Sequence, residues 1–308
     1  MLIVFCLVVS LFFPVRLALA HHPADSIFFS AWHWRGDVLL ILVFMGTIYT
    51  RGWLRLRRRN PRVVHPWQLA LYILGLGTIG AALLSPVDAL GSSLLSMHMA
   101  QHLPLLMIAP LSFLLANPFA AFLWGLPTKI RRKVGRLLAR GSFLRQVLWA
   151  LTLLPMTWSL YVTNLWVWHH PRLYQAALTN PWIHDLQHLL FFSTALFFWW
   201  PIVNPAPRLH GSIGYGFRII YLIAATLQNT LLGMAISLPE RVIYPFYAAA
   251  PRSGELSPLG DQGLGGGIMW ISGHMYLIPI MVLVYRILML EEEKVRKRPK
   301  VGLISTQR

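Results

Sequence analysis

Two pairs of histidines in this chain are spaced to share a metal ion. His98 and His102 lie in Met97-His98-Met99-Ala100-Gln101-His102, and His184 and His188 lie in His184-Asp185-Leu186-Gln187-His188. Both segments read H-x-x-Q-H, and both stand at the front of an apolar run. Residues four apart on a helix share a face and lie about 6 Å apart along the axis, so each pair makes a bidentate claw. Recurrence in two separate segments makes accident a poor explanation. Met97 and Met99 flank the first pair, and His274, with Met269 and Met275 near it, enters the last apolar run. Imidazole with thioether, and no thiolate in reach, is a donor set that favours Cu(I). Gln101 and Gln187, one turn from the first histidine of each pair, are placed to orient ring nitrogens.

Other chemistries stay open on the same residues. Bis-histidine ligation of a b-type haem between two membrane helices is one, although a macrocycle needs room that close i, i+4 pairs do not leave. A proton relay of His and Asp, or a copper or proton transporter built on it, is another. Enzymatic patterns are absent. No nucleophile stands beside a base, both histidine motifs lack the Glu of H-E-x-x-H, and Gly75-Leu76-Gly77-Thr78-Ile79-Gly80 spells G-x-G-x-x-G inside an apolar span with no preceding strand. Small residues there let two membrane helices approach.

The elements that must position these histidines are membrane helices. Of 308 residues, 56% are hydrophobic and only 12% charged, about half the charged share of a soluble domain. The net charge of +17 would suggest nucleic acid on a soluble fold, but here it lies between apolar spans. Met1 to Ala20 is apolar and closes on Ala18-Leu19-Ala20, a cleavable signal segment. The only cysteine, Cys6, falls inside it, which excludes disulfides and thiolate sites from residues 21 onward. Runs of spanning length, about 20 residues, fall near 37–54, 67–84, 95–116, 144–166, 183–203, 217–238 and 267–289. The expected fold is therefore an all-α integral membrane bundle of seven helices over 21–290, followed by a basic tail over 291–308. Phe119 to Leu126, between Pro118 and Pro127, is too short to span and is expected at the interface.

Basic residues set the orientation. Arg51 to Arg62 and Lys129 to Arg145 crowd the first and third loops, and Lys294 to Arg308 the tail. With those segments cytoplasmic, together with Arg208 and Arg218 of the fifth loop and Arg286 near the tail, Arg35, Arg172, Arg241 and Arg252 are the basic residues left outside, and Arg16 lies in the signal segment. The N-terminus is then outside, the C-terminus inside, and the chain belongs to a bacterial plasma membrane. Ten of the twelve histidines map to the outer side or outer half of a span, leaving His65 and His210 inside. Ionisable groups at membrane depth are costly and turn inward onto functional sites, so the four paired imidazoles are expected to converge from the third and fifth spans. The external segment Pro239 to Gly266 is expected to fold over that mouth.

The chain resembles the CtaG-type assembly factors of caa-type cytochrome c oxidase. The resemblance is carried by His98 to His102 with Ala109-Pro110, by Trp168-His169-His170-Pro171-Arg172-Leu173-Tyr174, by His184 to His188 with Phe198-Trp199-Trp200-Pro201, and by Ser257-Pro258-Leu259-Gly260-Asp261-Gln262 with Gly266 to Trp270. Leu111 stands where relatives often have a second proline. The resemblance implies a membrane assembly factor for haem-copper oxidase that helps supply copper from the outer side, with the oxidase subunits and an outer-side copper carrier as partners. It carries over His98, His102, His169, His184, His188, Asp261 and Gln262, and leaves His170 at a variable place.

Overall fold

The computed structural model describes residues 32, 34–139, 141–211, 213–251 and 256–297. The expected signal segment, with His21, His22 and His33, lies outside the described residues. Among those described there is no strand. The helices are α1 (Gly36–Arg59), α2 (Pro66–Leu84), α3 (Pro86–Gly91), α4 (Leu95–Leu115), α5 (Phe119–Gly125), α6 (Thr128–Leu137), α7 (Phe143–Leu151), α8 (Leu154–His169), α9 (Pro171–Thr179), α10 (Pro181–Val203), α11 (Tyr215–Ser237), α12 (Pro245–Ala249), α13 (Pro258–His274) and α14 (Leu277–Lys297).

Among the described residues, six stretches are long and apolar enough to cross a membrane: α1, α2, α4, α10, α11 and the α13–α14 run from Pro258 to Glu293. The run at 144–166, expected as one span, is divided into α7 and α8. The Thr152 hydroxyl closes α7 by donating to Leu148 O at 2.6 Å, and Pro155 sits in the first turn of α8. Proline is tolerated there because its missing N–H would have no helical partner.

The central helix is α4, which touches α2, α3, α10 and α13. Pro104 and Pro110 both lie within it, and a π-helical turn covers Pro104–Ile108. Pro110 has no N–H to offer Leu106 O, so the Trp199 indole of α10 donates to that carbonyl instead, at 3.0 Å. The π-helical turn is thereby tied to the helix carrying the second histidine pair.

The last apolar segment starts earlier than its hydropathy suggests. Pro258 opens α13 with Ser257 as its cap, Ser257 Oγ accepting from Gly260 N at 3.0 Å. Asp261 and Gln262 are thus in a helical first turn rather than in the preceding loop. Each interior glycine costs a helix about 1 kcal/mol in isolation, but here glycine brings two backbones together. A Cβ on Gly233 of α11 would stand 2.7 Å from Trp270 N, and one on Gly266 of α13 would stand 2.7 Å from Gly233 O. The close seam fixes where α13 sits, and so where Asp261 points.

Candidate metal centre

The first turn of α4 has no side-chain cap of its own, since Leu94 precedes it. Asp261 of α13 supplies one. Its carboxylate accepts from Leu95 N at 2.7 Å, Ser96 N at 3.1 Å and Ser96 Oγ at 2.6 Å, and the residue is fully buried. A carboxylate at a helix N-terminus satisfies otherwise orphaned N–H groups and complements the helix dipole. His98 and His102 project from the turns that follow. On the facing helix, Asn180 caps α10 by accepting from Trp182 N at 2.9 Å, which sets the register of His184 and His188.

The rings meet. Centroid separations are 4.4 Å for His98 and His102, 5.1 Å for His98 and His184, 5.3 Å for His102 and His188, and 4.2 Å for His184 and His188. His98, His102 and His188, all buried, each offer a nitrogen, and these nitrogens lie within 4.8 Å of one another. His169, at the end of α8, adjoins with its ring 6.4 Å from His102.

Proton positions follow from the partners. Tyr247 of α12 donates its one hydroxyl proton to Gly91 O at 2.8 Å. Toward His98 Nδ1, 3.2 Å away, it can then only accept, so Nδ1 carries hydrogen and Nε2 holds the lone pair. His169 Nδ1 lies 2.7 Å from Leu165 O, and a carbonyl cannot donate, so here too Nε2 holds the lone pair. Those two Nε2 atoms, His188 Nε2 and both nitrogens of His102 are buried with no hydrogen-bond partner. Each such atom costs about 1–3 kcal/mol of lost hydration. Packing alone would favour leucine at these places, whereas neutral imidazole lone pairs converging in a dry pocket fit a transition-metal ion.

A strap carrying Tyr244 and Tyr247, from the first part of the external segment expected there, lies over the cluster beside Tyr174 of α9. Tyr174, Tyr244 and Tyr247 are fully buried, and Tyr244 donates to His169 O at 2.9 Å. Two glutamines hold the strap. Gln262 Oε1 accepts from Ile243 N at 2.6 Å while its Nε2 donates to Arg241 O at 3.1 Å, and Gln175 Oε1 accepts from Phe246 N at 3.2 Å. At the rim, Arg35 bridges Asp37 and Asp185, each at 2.6 Å. Burial opposes the charge on Arg35, but the two carboxylates outweigh it and push its pKa up.

Not every candidate joins the cluster. His274 is exposed, with its ring 3.1 Å from Trp270 O. Because α13 begins at Pro258, His274 lies about 20 Å along the axis from Asp261, at the wrong depth for the rings. Met99 is buried but lines a separate small cavity with Met107, Tyr161, Asn229 and Met269. It stands about 100° around α4 from His98. Met97 is half-buried. Gln101 turns away from the rings, donating to Ala82 O at 2.9 Å and Asp88 Oδ1 at 2.6 Å. Gln187, by contrast, is fully buried with its side chain beside the His98 ring, where a ring-orienting residue was expected. His170 is exposed. Nothing in the spacing of residues pointed to Tyr247 as the partner of His98, since the two lie 149 positions apart.

Over residues 47–289 the chain matches the family of cytochrome c oxidase caa3 assembly factors (Caa3_CtaG). It belongs to that family. The Caa3_CtaG match takes in His98, His102, His169, His184, His188 and Asp261. Relatives include two proteins titled as uncharacterized, Mb0105 of Mycobacterium bovis and MT0111 of Mycobacterium tuberculosis. Each is 27% identical over 261 residues, covering 81% of this chain and 38% of theirs. ML1998 of Mycobacterium leprae, likewise uncharacterized, is 24% identical over 263 residues, covering 83% and 39%. The chain therefore spans about two fifths of the length of these relatives. No solved structure matches.

Proposed function

We propose that this assembly factor takes up copper as Cu(I) at His98, His102 and His188, with His184 and His169 adjoining, and hands it to cytochrome c oxidase. The observation that carries the reading is the set of buried imidazole nitrogens without partners, His102 having neither nitrogen satisfied. Copper is cargo in this account. A binding site that excludes water yet offers neutral nitrogen holds Cu(I) without the hard oxygen ligands that would favour Mg²⁺ or Ca²⁺. Packed ring separations of 4.2–6.4 Å suit one small ion better than a haem.

The cluster lies at the outer side of a bacterial plasma membrane in this proposal. Asp37, Asp88, Asp185 and Asp261 gather at the histidine end, while Arg51, Arg55 and the bases of α6 gather at the other, as the positive-inside rule requires. Oxidase subunits and an outer-side copper carrier are the partners proposed.

The test is metal content by mass spectrometry on the detergent-purified protein, with an optical spectrum beside it. His98→Ala and His188→Ala should each lower bound copper and stop oxidase maturation, while His65→Ala should do neither. A Soret band lost in the same variants would replace copper with haem. Full copper occupancy and a mature oxidase in the correctly inserted double variant would place the site elsewhere.

A further inference from the structure

A second surface stands at the end of the bundle away from the histidines. Helix α6, Thr-Lys-Ile-Arg-Arg-Lys-Val-Gly-Arg-Leu, has five basic residues in ten and no buried residue. At 100° per residue, Ile130, Val134 and Leu137 fall within about 60° of arc, and Lys129, Arg131, Arg132, Lys133 and Arg136 occupy the remainder. Ile130 and Leu137 are each about half exposed, at 48% and 47%. In water that apolar stripe would have no reason to face outward. Lying in the plane of an interface, it would bury among acyl chains while the bases reach headgroups.

The neighbouring helix reinforces the surface. Trp124, just before α6, is flanked by two guanidiniums, Arg131 at 4.6 Å and Arg59 at 5.3 Å from its ring centroid, and Arg55 donates to its carbonyl at 3.0 Å. The last three residues of α1 are Arg57, Arg58 and Arg59. No Asp or Glu occurs between Asp88 and Asp185, so α6 carries no acid of its own to neutralise it. Charges this dense on one face need an anionic counterpart, and the stripe of Ile130, Val134 and Leu137 requires that the counterpart carry hydrocarbon as well.

We infer that α6, with Trp124 and the arginines closing α1, is an in-plane docking surface for acidic phospholipids of the leaflet at that end of the bundle. Bound there, α6 holds the long loop between α4 and α8 against the membrane. The proposal does not depend on the histidine cluster or its metal.

Full-length protein with Cys6→Ser and an environment-sensitive fluorophore on Val134→Cys tests it, reconstituted in vesicles of phosphatidylcholine with or without phosphatidylglycerol. The label should report an apolar setting with phosphatidylglycerol and a more aqueous one without it, and the difference should shrink as salt is raised. Combined K129Q, R132Q and R136Q, all at exposed positions, should weaken the preference for the acidic lipid about tenfold or more. An identical signal in both lipids, or an aqueous label in both, overturns the proposal. The lipid comparison on the labelled protein decides this even if the triple variant folds poorly. An acidic protein segment as the true partner would leave the label aqueous in either lipid.

Discussion

The two ends of this bundle hold histidines in opposite states. At the end away from the cluster, His65 is exposed and its backbone N–H is accepted by Gln68 Oε1 at 2.9 Å, while His210 shares a 2.8 Å contact with the Thr152 hydroxyl. Arg145 and Asn117 there bond the Arg208 carbonyl at 3.1 Å and the Ala206 N–H at 2.9 Å. Those side chains are engaged in holding loops. At the other end the polar side chains divide into two sets. Asp261, Tyr247, Gln175 and Gln262 are engaged, whereas the rings they surround keep unpartnered nitrogens. A site that keeps lone pairs dry and unpaired gives up stability for binding, as functional sites do.

The sharpest way to break this contrast is His102→Leu. Both ring nitrogens are buried without partners, so an apolar replacement should leave unfolding free energy within about 1 kcal/mol while copper affinity falls at least about a hundredfold. Copper titration beside denaturant unfolding measures the two. A large loss of stability with copper retained would make the ring structural, like those at the far end.

Asp261→Ala should be the most damaging change among the engaged groups. It strips three donors of one acceptor and uncaps α4, at a cost of about 2–3 kcal/mol, and Asp261→Asn should recover part of it. Metal per folded molecule should fall as well, because His98 lies one turn beyond the cap. Unfolding curves of wild-type protein and both variants check the order.

Tyr247→Phe separates holding from packing. The ring remains, but the acceptor for His98 Nδ1–H is lost, and outer-shell partners of this kind are worth about tenfold to a hundredfold in metal affinity. Copper competition assays should show that loss beside a destabilisation of about 1–3 kcal/mol from the orphaned Gly91 carbonyl; equal affinity in the variant would refute the tautomer assigned to His98. Smallest of all should be Arg35→Gln at the rim. Its side chain is 29% exposed, and partly exposed pairs contribute about 0–1 kcal/mol. Any effect should appear in the rate of copper loading, measured by stopped flow, more than in the amount bound.

Much of this molecule was legible in one dimension. Period and spacing alone placed His98 beside His102 and His184 beside His188, because the α-helix brings residues four apart to one face whatever surrounds them. Composition fixed an all-helical membrane class, since only helices or closed barrels satisfy the backbone in lipid. Local signals were less dependable where tertiary contacts overrode them. The glycines of 263–267 read as the entry to a span and instead lie inside α13, because that helix starts at Pro258 and Gly266 seats against the backbone of α11. The run at 144–166 read as one helix and is broken at Thr152.

What only the tertiary structure decided is which groups meet across long separations. Asp261 caps α4 from 165 and 166 positions away, and no periodicity connects them. His274 and Met99 carry the right donor chemistry, yet one is exposed along α13 and the other is turned into a different cavity. Ligand type is a property of the side chain and can be read in sequence. Direction and depth depend on where each helix starts and what it packs against, and those are set by contacts made after the chain has folded.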